Sequence, residues 1–295
     1  VVRAMAADER VRFAFTASEE PRQAGGIYGN APAGTRVLSP ARAALLRWDA
    51  YLTSDFMWAT LPRGAARIQM FHGVAGKYGF DAPSTSMRQW DRLFFVNERR
   101  LRNFVAAGAI DEGSRAARLI GMPKVDCLVD GTIRRDEVLR GFGLDPAVPT
   151  VLYAPTWSPA ASLNRLGVDL VERLLSRRVN VIVKLDDRSR DPRPQYSGGV
   201  DWVARVSPLL RGPRAVVARH GNMPPWLVAT DVMFTDPSSC GFEYLLLDRP
   251  VVRIEVPELL AQANIHADYV ALLAGAALNT RDAAGTVAAV EQALA

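Results

Sequence analysis

Residues suited to binding an anionic ligand follow a short apolar run in the second half of the chain. Val232–Phe234 has the length of a buried parallel strand, and Asp236-Pro237-Ser238-Ser239 follows it closely. These turn-forming and helix-capping residues predict a loop, and the apolar spacing of Gly241–Leu247 predicts a helix behind it. Two hydroxyls and several backbone N–H groups at a helix start predict a phosphate site, although a simple helix cap at Ser238 and Ser239 fits equally well.

A histidine in a glycine-rich loop is the candidate general base. His72 and Gly73 lie at the end of the predicted strand Ile68–Phe71, and Lys77 follows shortly afterwards. The unperturbed pKa of an imidazole is near neutrality, so His72 can accept a proton, while Lys77 supplies a cation. A histidine held by the backbone in a tight turn is the structural alternative, and the character of the loop favours the functional interpretation.

Polar residues also lie at other loops of the second half. Thr156 follows the predicted strand Thr150–Tyr153 and can hydrogen-bond a phosphate, and Lys184, at the end of a strand from Asn180, can reach a diphosphate. His220 and Asn222 precede a helix and can hold a base or ribose, although a helix-entry role explains His220 as well. The residues interpreted as substrate-binding are Gly73, Lys77, Pro155, Thr156, Lys184, Asp186, His220, Asn222, Thr235, Asp236, Ser238, Ser239 and Glu243.

The composition is that of a globular protein and excludes several classes of site. Of 295 residues 49% are hydrophobic, yet no apolar run approaches the roughly 20 residues that span a bilayer. Three histidines and two cysteines show no metal-ligand or disulfide spacing, so no metal or other cofactor is predicted. The net charge of +5, carried mainly by arginine, suits anionic lipid or a polyanionic substrate. The sequence contains no basic run with interleaved aromatic residues, so binding to nucleic acid is not predicted.

Predicted strands and helices alternate along the whole chain, which indicates an α/β fold with doubly wound parallel sheets. The Gly- and Pro-rich segment 141–149 predicts a boundary between an N-terminal domain, residues 1–141, and a C-terminal domain, residues 142–295. The chain starts at Val1 without a preceding strand, so the first strand of the N-terminal domain is expected to be missing. Facing domains of this kind would place both sets of strand carboxyl ends, where ligands bind, on one cleft.

Five motifs spread along the chain carry a family resemblance. They are His72-Gly73 with Lys77, Gly121–Asp126, Ala154–Trp157, Asp236–Ser239 and Phe242–Val251. In this order they resemble the CDP-glycerol glycerophosphotransferases, which are the teichoic-acid primases and polymerases and their relatives in capsule synthesis. The resemblance covers roughly residues 66–254, and the five motifs together are specific where each alone would be weak.

The resemblance implies a GT-B fold, in which two Rossmann-like domains face each other across a cleft and the C-terminal one holds the nucleotide. It implies transfer of glycerol phosphate, or a related alditol phosphate, from a CDP-activated donor to a hydroxyl of a lipid-linked or polymer acceptor, without a metal. It also implies His72 as the base and Ser238 and Ser239 as ligands of the donor phosphate. Together with the positive charge, it predicts a cytoplasmic protein attached peripherally to an anionic membrane surface.

The sequence departs from the pattern of that family at the second-domain phosphate loop. Lys-x-His-Pro is replaced by Lys184-Leu185-Asp186-Asp187. A carboxylate facing a diphosphate is unfavourable unless the donor differs or Arg188 compensates. Two further functions therefore stay open: a GT-B glycosyltransferase or nucleotide-sugar epimerase that uses a UDP-linked sugar, and a non-catalytic GT-B scaffold in polysaccharide assembly. The imidazole of His72 argues against the scaffold.

Overall fold

The computed structural model describes residues 5, 8–16, 34–54, 64–74, 87, 89–218 and 222–295. The chain divides into two compact units. The first comprises Val1–Gly73 and Asp81–Pro123, and the second comprises Val74–Phe80 and Lys124–Ala295. Each unit is built from parallel strands and helices, so the predicted α/β class is confirmed.

The described part of the first unit contains two parallel sheets. One pairs β1 (Ala14–Thr16) with β2 (Arg36–Leu38). The other has the order β3-β4-β5-β6, from β3 (Ala50–Thr53), β4 (Ala66–Met70), β5 (Arg92–Phe95) and β6 (Ala117–Leu119). Helix α1 (Pro40–Leu45) follows β2, and α2 (Glu98–Ala106) connects β5 to β6.

Three phenylalanine rings form the centre of the core of the first unit. Phe71 follows β4, Phe95 ends β5 and Phe104 comes from α2, and their ring centroids lie 4.8, 4.9 and 5.1 Å apart. Tilted and edge-to-face contacts of this kind are favourable beyond the area they bury. They fix the end of β4, from which His72 extends, against α2.

The second unit is organised around one six-stranded parallel sheet. Its strands are β7 (Thr150–Tyr153), β8 (Asn180–Val183), β9 (Ala215–Val217), β10 (Val232–Thr235), β11 (Val251–Ile254) and β12 (Leu278–Thr280). Its helices are α3 (Arg135–Gly141), α4 (Ser162–Leu175), α5 (Pro194–Ser197), α6 (Trp202–Val206), α7 (Pro224–Ala229), α8 (Ser239–Leu245), α9 (Pro257–Ala263), α10 (Ala267–Gly275) and α11 (Ala283–Leu294). Short 3-10 helices span Pro123–Leu128 and Asp187–Arg190.

The central strands of this sheet are covered on both faces. Every residue of β7, β8, β10 and β11 is buried. Apolar, β-branched runs of this kind are typical of parallel strands between two layers of helices. Leu170 of α4 and Val290 of α11 pack with Val181 and Val252 in one cluster and so cover one face.

The strand order of the second unit identifies its ligand-binding edge. The order is β12-β11-β10-β7-β8-β9, which is the 3-2-1-4-5-6 order of a Rossmann-like sheet when the strands are counted from β7. The direction of winding reverses between β7 and β10, and ligands of such sheets bind beyond the carboxyl ends of the strands at that switch point. The loops after β7 and β10 therefore form the expected site.

Residues 124–141 belong to the second unit. The boundary between the units therefore follows Pro123, earlier in the chain than the predicted linker at 141–149. Arg135 of α3 donates to the carboxylate of Asp231 at 2.7 Å and to the carbonyl oxygen of Pro146 at 2.8 Å. Asp231 also accepts the backbone N–H of Thr150 at 2.8 Å. These bonds fasten α3 to the start of the sheet, and the Gly- and Pro-rich segment is a connection within the unit.

Several elements of the second unit lack the patterns from which helices and strands are predicted. The short helices α5, α6, α9 and α10 and the edge strand β12 are additional to the predicted elements. In β12 two of three residues are exposed, so it has no apolar run. Within the described residues, no helix combines the length and apolarity that crossing a bilayer requires.

Candidate functional site

The loops after β7 and β10 are joined by a buried carboxylate. Asp236 is fully buried, and its Oδ2 accepts the backbone N–H of Thr156 at 3.1 Å and that of Ser162 at 3.4 Å. The chain after β7 and the start of α4 are thereby attached to the chain after β10. Asp236 thus has a positioning role beneath the switch point, and Thr156 is placed there through its backbone.

A chain of hydroxyls and a thiol extends from the end of β10. The Thr235 hydroxyl donates to the carbonyl oxygen of Ala154 at 2.6 Å, and its oxygen lies 3.2 Å from the Ser238 hydroxyl. Ser238 Oγ in turn lies 2.7 Å from Cys240 Sγ. These bonds hold Ser238, which is 8% exposed, in one orientation at the start of α8.

The first turn of α8 carries no side-chain cap from its N-cap residue. Ser238 has the backbone conformation of an N-cap, but its side chain makes no capping hydrogen bond. A cap is therefore not the role of its hydroxyl, which favours the anion-site interpretation. Gly241 lets this turn lie close to the strand, because a Cβ there would meet Thr235 Cγ2 and Leu273 Cδ1 at 3.3 Å.

The loop after β8 brings a lysine to the same edge of the sheet. Lys184 is half-buried and its Nζ donates to the carbonyl oxygen of Leu185 at 3.1 Å. Burial lowers the pKa of its ammonium group, and the nearby carboxylates of Asp187 and Asp186 oppose that shift. Asp186 is exposed and caps the 3-10 helix by accepting the backbone N–H of Arg188 at 2.9 Å.

Glu243 of α8 makes a buried ion pair. Its Oε1 lies 2.7 Å from Lys124 Nζ, and the carboxylate is 2% exposed while the lysine is 46% exposed. A charge buried to this degree needs such a partner. The partner was not singled out from the sequence, although Lys124 lies in the motif Gly121–Asp126.

In the first unit, His72 is exposed and held through one ring nitrogen. Its Nδ1 lies 2.8 Å from the carbonyl oxygen of Ser54, which follows β3. A carbonyl oxygen only accepts, so Nδ1 carries the proton and Nε2 is the acceptor nitrogen of the neutral ring. This tautomer gives His72 a basic Nε2, as a general base requires.

A buried arginine holds the residue after the histidine. Arg100 of α2 donates to the carbonyl oxygen of Gly73 at 2.8 Å, and its guanidinium carbon lies 4.8 Å from the ring centroid of Phe71. It is 5% exposed. The sequence does not reveal this role, because Arg100 is one of many arginines and its partner is a backbone carbonyl in another loop.

The other residues predicted to bind substrate differ in burial, and two of them lie outside the described part of the chain. Pro155 is buried next to Thr156, Ser239 is half-buried in the first turn of α8, and Asn222 is exposed before α7. Lys77 and His220 lie outside the described residues. Among the residues that are described, no group of three histidine, cysteine or acidic side chains has the arrangement of a metal site, and neither Cys127 nor Cys240 is part of a disulfide.

Comparison with known proteins identifies relatives over most of the chain. The family described as CDP-glycerol:poly(glycerophosphate) glycerophosphotransferase matches residues 9–283. A structure of the wall teichoic acid polymerase TagF, a variant soaked with CDPG, superposes with a TM-score of 0.63 at 15% identity over 90% of this chain and 68% of that one. Another TagF structure gives a TM-score of 0.61 at 15% identity, with the same coverage. At 15% identity the structural similarity shows the fold alone, and the predicted GT-B class is confirmed.

One curated protein is similar over part of the chain. It is the UDP-N-acetylglucosamine--N-acetylmuramyl-(pentapeptide) pyrophosphoryl-undecaprenol N-acetylglucosamine transferase of Corynebacterium jeikeium (strain K411), which is 24% identical over 151 residues. The match covers 44% of this chain, and this chain spans only 40% of the length of that relative.

Proposed function

The chain belongs to the CDP-glycerol:poly(glycerophosphate) glycerophosphotransferase family, and we propose that it transfers glycerol phosphate, or a related alditol phosphate, from a CDP-activated donor to an acceptor hydroxyl. The acceptor is a lipid-linked or polymeric precursor of a cell-wall or capsule polymer. TagF, whose fold this chain shares, is by name a wall teichoic acid polymerase.

The donor site is proposed at the switch point of the second unit. The observation that carries this proposal is the Ser238 hydroxyl, which bonds to Thr235 and Cys240 and leaves the first turn of α8 uncapped by that side chain. The N–H groups of this turn and the ammonium group of Lys184 favour a bound diphosphate. Asp236 and Glu243 serve this site by holding the loops rather than by touching the anion, since each is buried in bonds to protein groups.

The chemical step needs one base and one leaving group. Nε2 of His72 takes the proton of the acceptor hydroxyl while the oxygen of that hydroxyl attacks the β-phosphorus of the donor. The bond from that phosphorus to the bridging oxygen breaks, and CMP leaves with the electron pair. The N–H groups of α8 and Lys184 offset the charge that develops on CMP, so we expect no divalent metal to be required. Transfer that persists in excess EDTA is the expected outcome.

A donor screen tests this function against its rivals. Thermal unfolding is followed with CDP-glycerol, CDP-ribitol, CDP and UDP-N-acetylglucosamine, because a ligand of the native state raises the midpoint by mass action. Stabilisation by the CDP compounds, together with CMP release when a glycerophosphate-primed acceptor is added, is expected. Stabilisation by the UDP-linked sugar alone would favour the glycosyltransferase or epimerase, and binding without CMP release would favour the scaffold.

Attachment to the inner face of the cell membrane is the proposed location. The net charge of +5 and the lipid-linked acceptor support electrostatic binding to anionic headgroups. Sedimentation with phosphatidylglycerol vesicles at low salt, lost at high salt, is expected because surface charges are screened by ions. Lack of binding at low salt would contradict it.

A further inference from the structure

An arginine in the loop after β8 is held by two aromatic rings. The guanidinium carbon of Arg188 lies 4.6 Å from the ring centroid of Trp157 and 5.8 Å from that of Tyr196. The two rings contact each other edge to face, with centroids 5.8 Å apart. A cation over aromatic faces is attracted by their quadrupoles, and the planar group is pre-oriented.

Arg188 differs from the other arginines of its loop in its partners. Arg190 pairs with Asp187 at 3.7 Å and Arg193 pairs with Asp191 at 2.6 Å. Across the described residues, the structure records no ion pair for the side chain of Arg188. The remaining carboxylate of the loop, Asp186, accepts the backbone N–H of Arg188 and caps the 3-10 helix. The edge N–H donors of Arg188 are thus left for an anion from outside the loop.

The loop that carries Arg188 lies at the same edge of the sheet as the proposed donor site. It follows β8, and Trp157 follows β7, which pairs with β8 on one side and with β10 on the other. Neighbouring strands lie about 4.8 Å apart, so the loop with Ser238 is about two strand spacings away, a gap that an arginine side chain and a bound diphosphate can span together. Lys184, at the start of the same loop, lies close enough to Cys240 in the first turn of α8 for that group to raise the pKa of the lysine slightly.

We propose that Arg188, supported on Trp157 and Tyr196, binds a phosphate of the nucleotide diphosphate donor. This inference rests on the proposed function and adds the residue that supplies cationic recognition from the β8 loop. A stacked guanidinium presents two parallel N–H groups to two phosphate oxygens, which a lysine in its place would not do.

The test is calorimetric titration of the intact chain with CDP-glycerol, CDP and UDP. Arg188→Gln keeps length and polarity but removes the charge, and it is expected to weaken the CDP compounds about ten- to hundredfold. Arg193→Gln is the matched control, because Arg193 also stacks on Tyr196, at 4.6 Å, but is paired with Asp191. The Arg193→Gln variant is expected to bind the CDP compounds within about twofold of the affinity of the original chain. Arg193 is already paired, and the loss of an exposed ion pair has little energetic effect.

Three further variants separate recognition from folding. Arg188→Lys is expected to recover only part of the lost affinity, and Trp157→Leu is expected to weaken binding while Trp157→Phe restores it. Each variant is accepted only with an unchanged thermal midpoint. Equal affinity of Arg188→Gln and the original chain, or equal losses in Arg188→Gln and Arg193→Gln, would overturn the inference. If the original chain binds UDP but not CDP, the proposed donor is wrong and UDP affinities test Arg188 instead. If it binds none of the three, both proposals are overturned.

Discussion

Asp236 and Thr156 are joined by a hydrogen bond across the switch point of the second unit, with Thr156 N–H donating to the buried Asp236 carboxylate at 3.1 Å. The residues are 80 positions apart in the chain and lie on loops from β10 and β7. One carboxylate therefore sets the spacing of the two loops that form the candidate donor site.

Replacing Asp236 is expected to destabilise the second unit. Asp236→Ala leaves the N–H groups of Thr156 and Ser162 without this acceptor, at roughly 1–3 kcal/mol for each buried donor left unsatisfied. Denaturant unfolding measures the loss, and Asp236→Asn should recover part of it through its amide oxygen. Asp169→Ala, which removes an exposed carboxylate on α4, is the control and should cost about 0.5 kcal/mol or less. A stability loss no larger than that of the control would contradict the positioning role.

The paired serines are expected to affect binding more than stability. The double variant Ser238→Ala with Ser239→Ala should weaken CDP-glycerol at least about tenfold. It should lower the free energy of unfolding by only about 1 kcal/mol, the usual value of a hydrogen bond. Titration calorimetry and urea unfolding measure the two effects. Ser176→Ala, at the exposed end of α4, removes a hydroxyl that donates to the carbonyl oxygen of Arg173 at 2.7 Å and should leave affinity unchanged. Unchanged affinity in a folded double variant would place the donor elsewhere.

His72→Ala is expected to remove transfer without removing donor binding. A positioned general base contributes about a hundred- to ten-thousandfold in rate. CMP release and donor affinity are measured on the same preparation. His266→Ala is the control, because His266 is also exposed but caps α10 through Asp268 N–H. Loss of transfer in His220→Ala beside near-normal transfer in His72→Ala would move the base to the second unit.

Donor affinity is expected to fall at alkaline pH because of Lys184. Burial lowers its folded-state pKa below the ordinary value of about 10.4. An anion favours the protonated amine, so affinity declines as the pH rises through the lowered pKa. Between the two pKa values the unfolded state binds more protons, so stability of the free protein rises with pH there. Lys184→Arg, which stays charged, should bind CDP-glycerol with little pH dependence in this window.

Titration of CDP-glycerol between pH 7 and 10 measures this difference, and the diester diphosphate itself does not titrate in that range. Asp186, Asp187, Arg190 and Cys240 are the charged or titratable groups that act on Lys184. Because thiols as a class ionise in this pH range, both proteins carry Cys240→Ser so that only position 184 differs. Identical pH profiles for the lysine and arginine forms would show that Lys184 does not meet the donor.

The two residues of the ion pair between α3 and the sheet are expected to show a measurable coupling energy. A double-mutant cycle on Arg135 and Asp231, whose side chains are 23% and 33% exposed, should give about 1–2 kcal/mol. The exposed pair Arg140 and Asp136, on α3 itself, should give about 0.5 kcal/mol or less. Equal coupling in the two cycles would contradict the assignment of α3 to the second unit.

Sequence periodicity located the central strands of the second unit closely because their signal is local. Thr150–Tyr153 has the predicted bounds, and the predicted run Val232–Phe234 lies within β10. By contrast, β12 is recognisable only through its pairing with β11, since an exposed edge strand has no apolar run. The domain boundary was placed by Gly and Pro content, which marks a turn but does not report that Arg135 reaches Asp231.

The sequence by itself determined the α/β class, the glycine-flanked His72 and the Asp236–Ser239 loop, since strand periods and turn-forming residues act over a few neighbouring positions. Only the tertiary structure decided which loops meet. In the folded chain β7 pairs with β10, and Asp236 accepts a hydrogen bond from Thr156. Glu243 forms an ion pair with Lys124, and Arg188 stacks on Trp157. These pairs join residues far apart in the chain, and which of many carboxylates, cations and rings become neighbours depends on the order in which the strands pack. The proton position on His72 was decided in the same way, by a carbonyl oxygen that the adjacent strand β3 delivers to its ring.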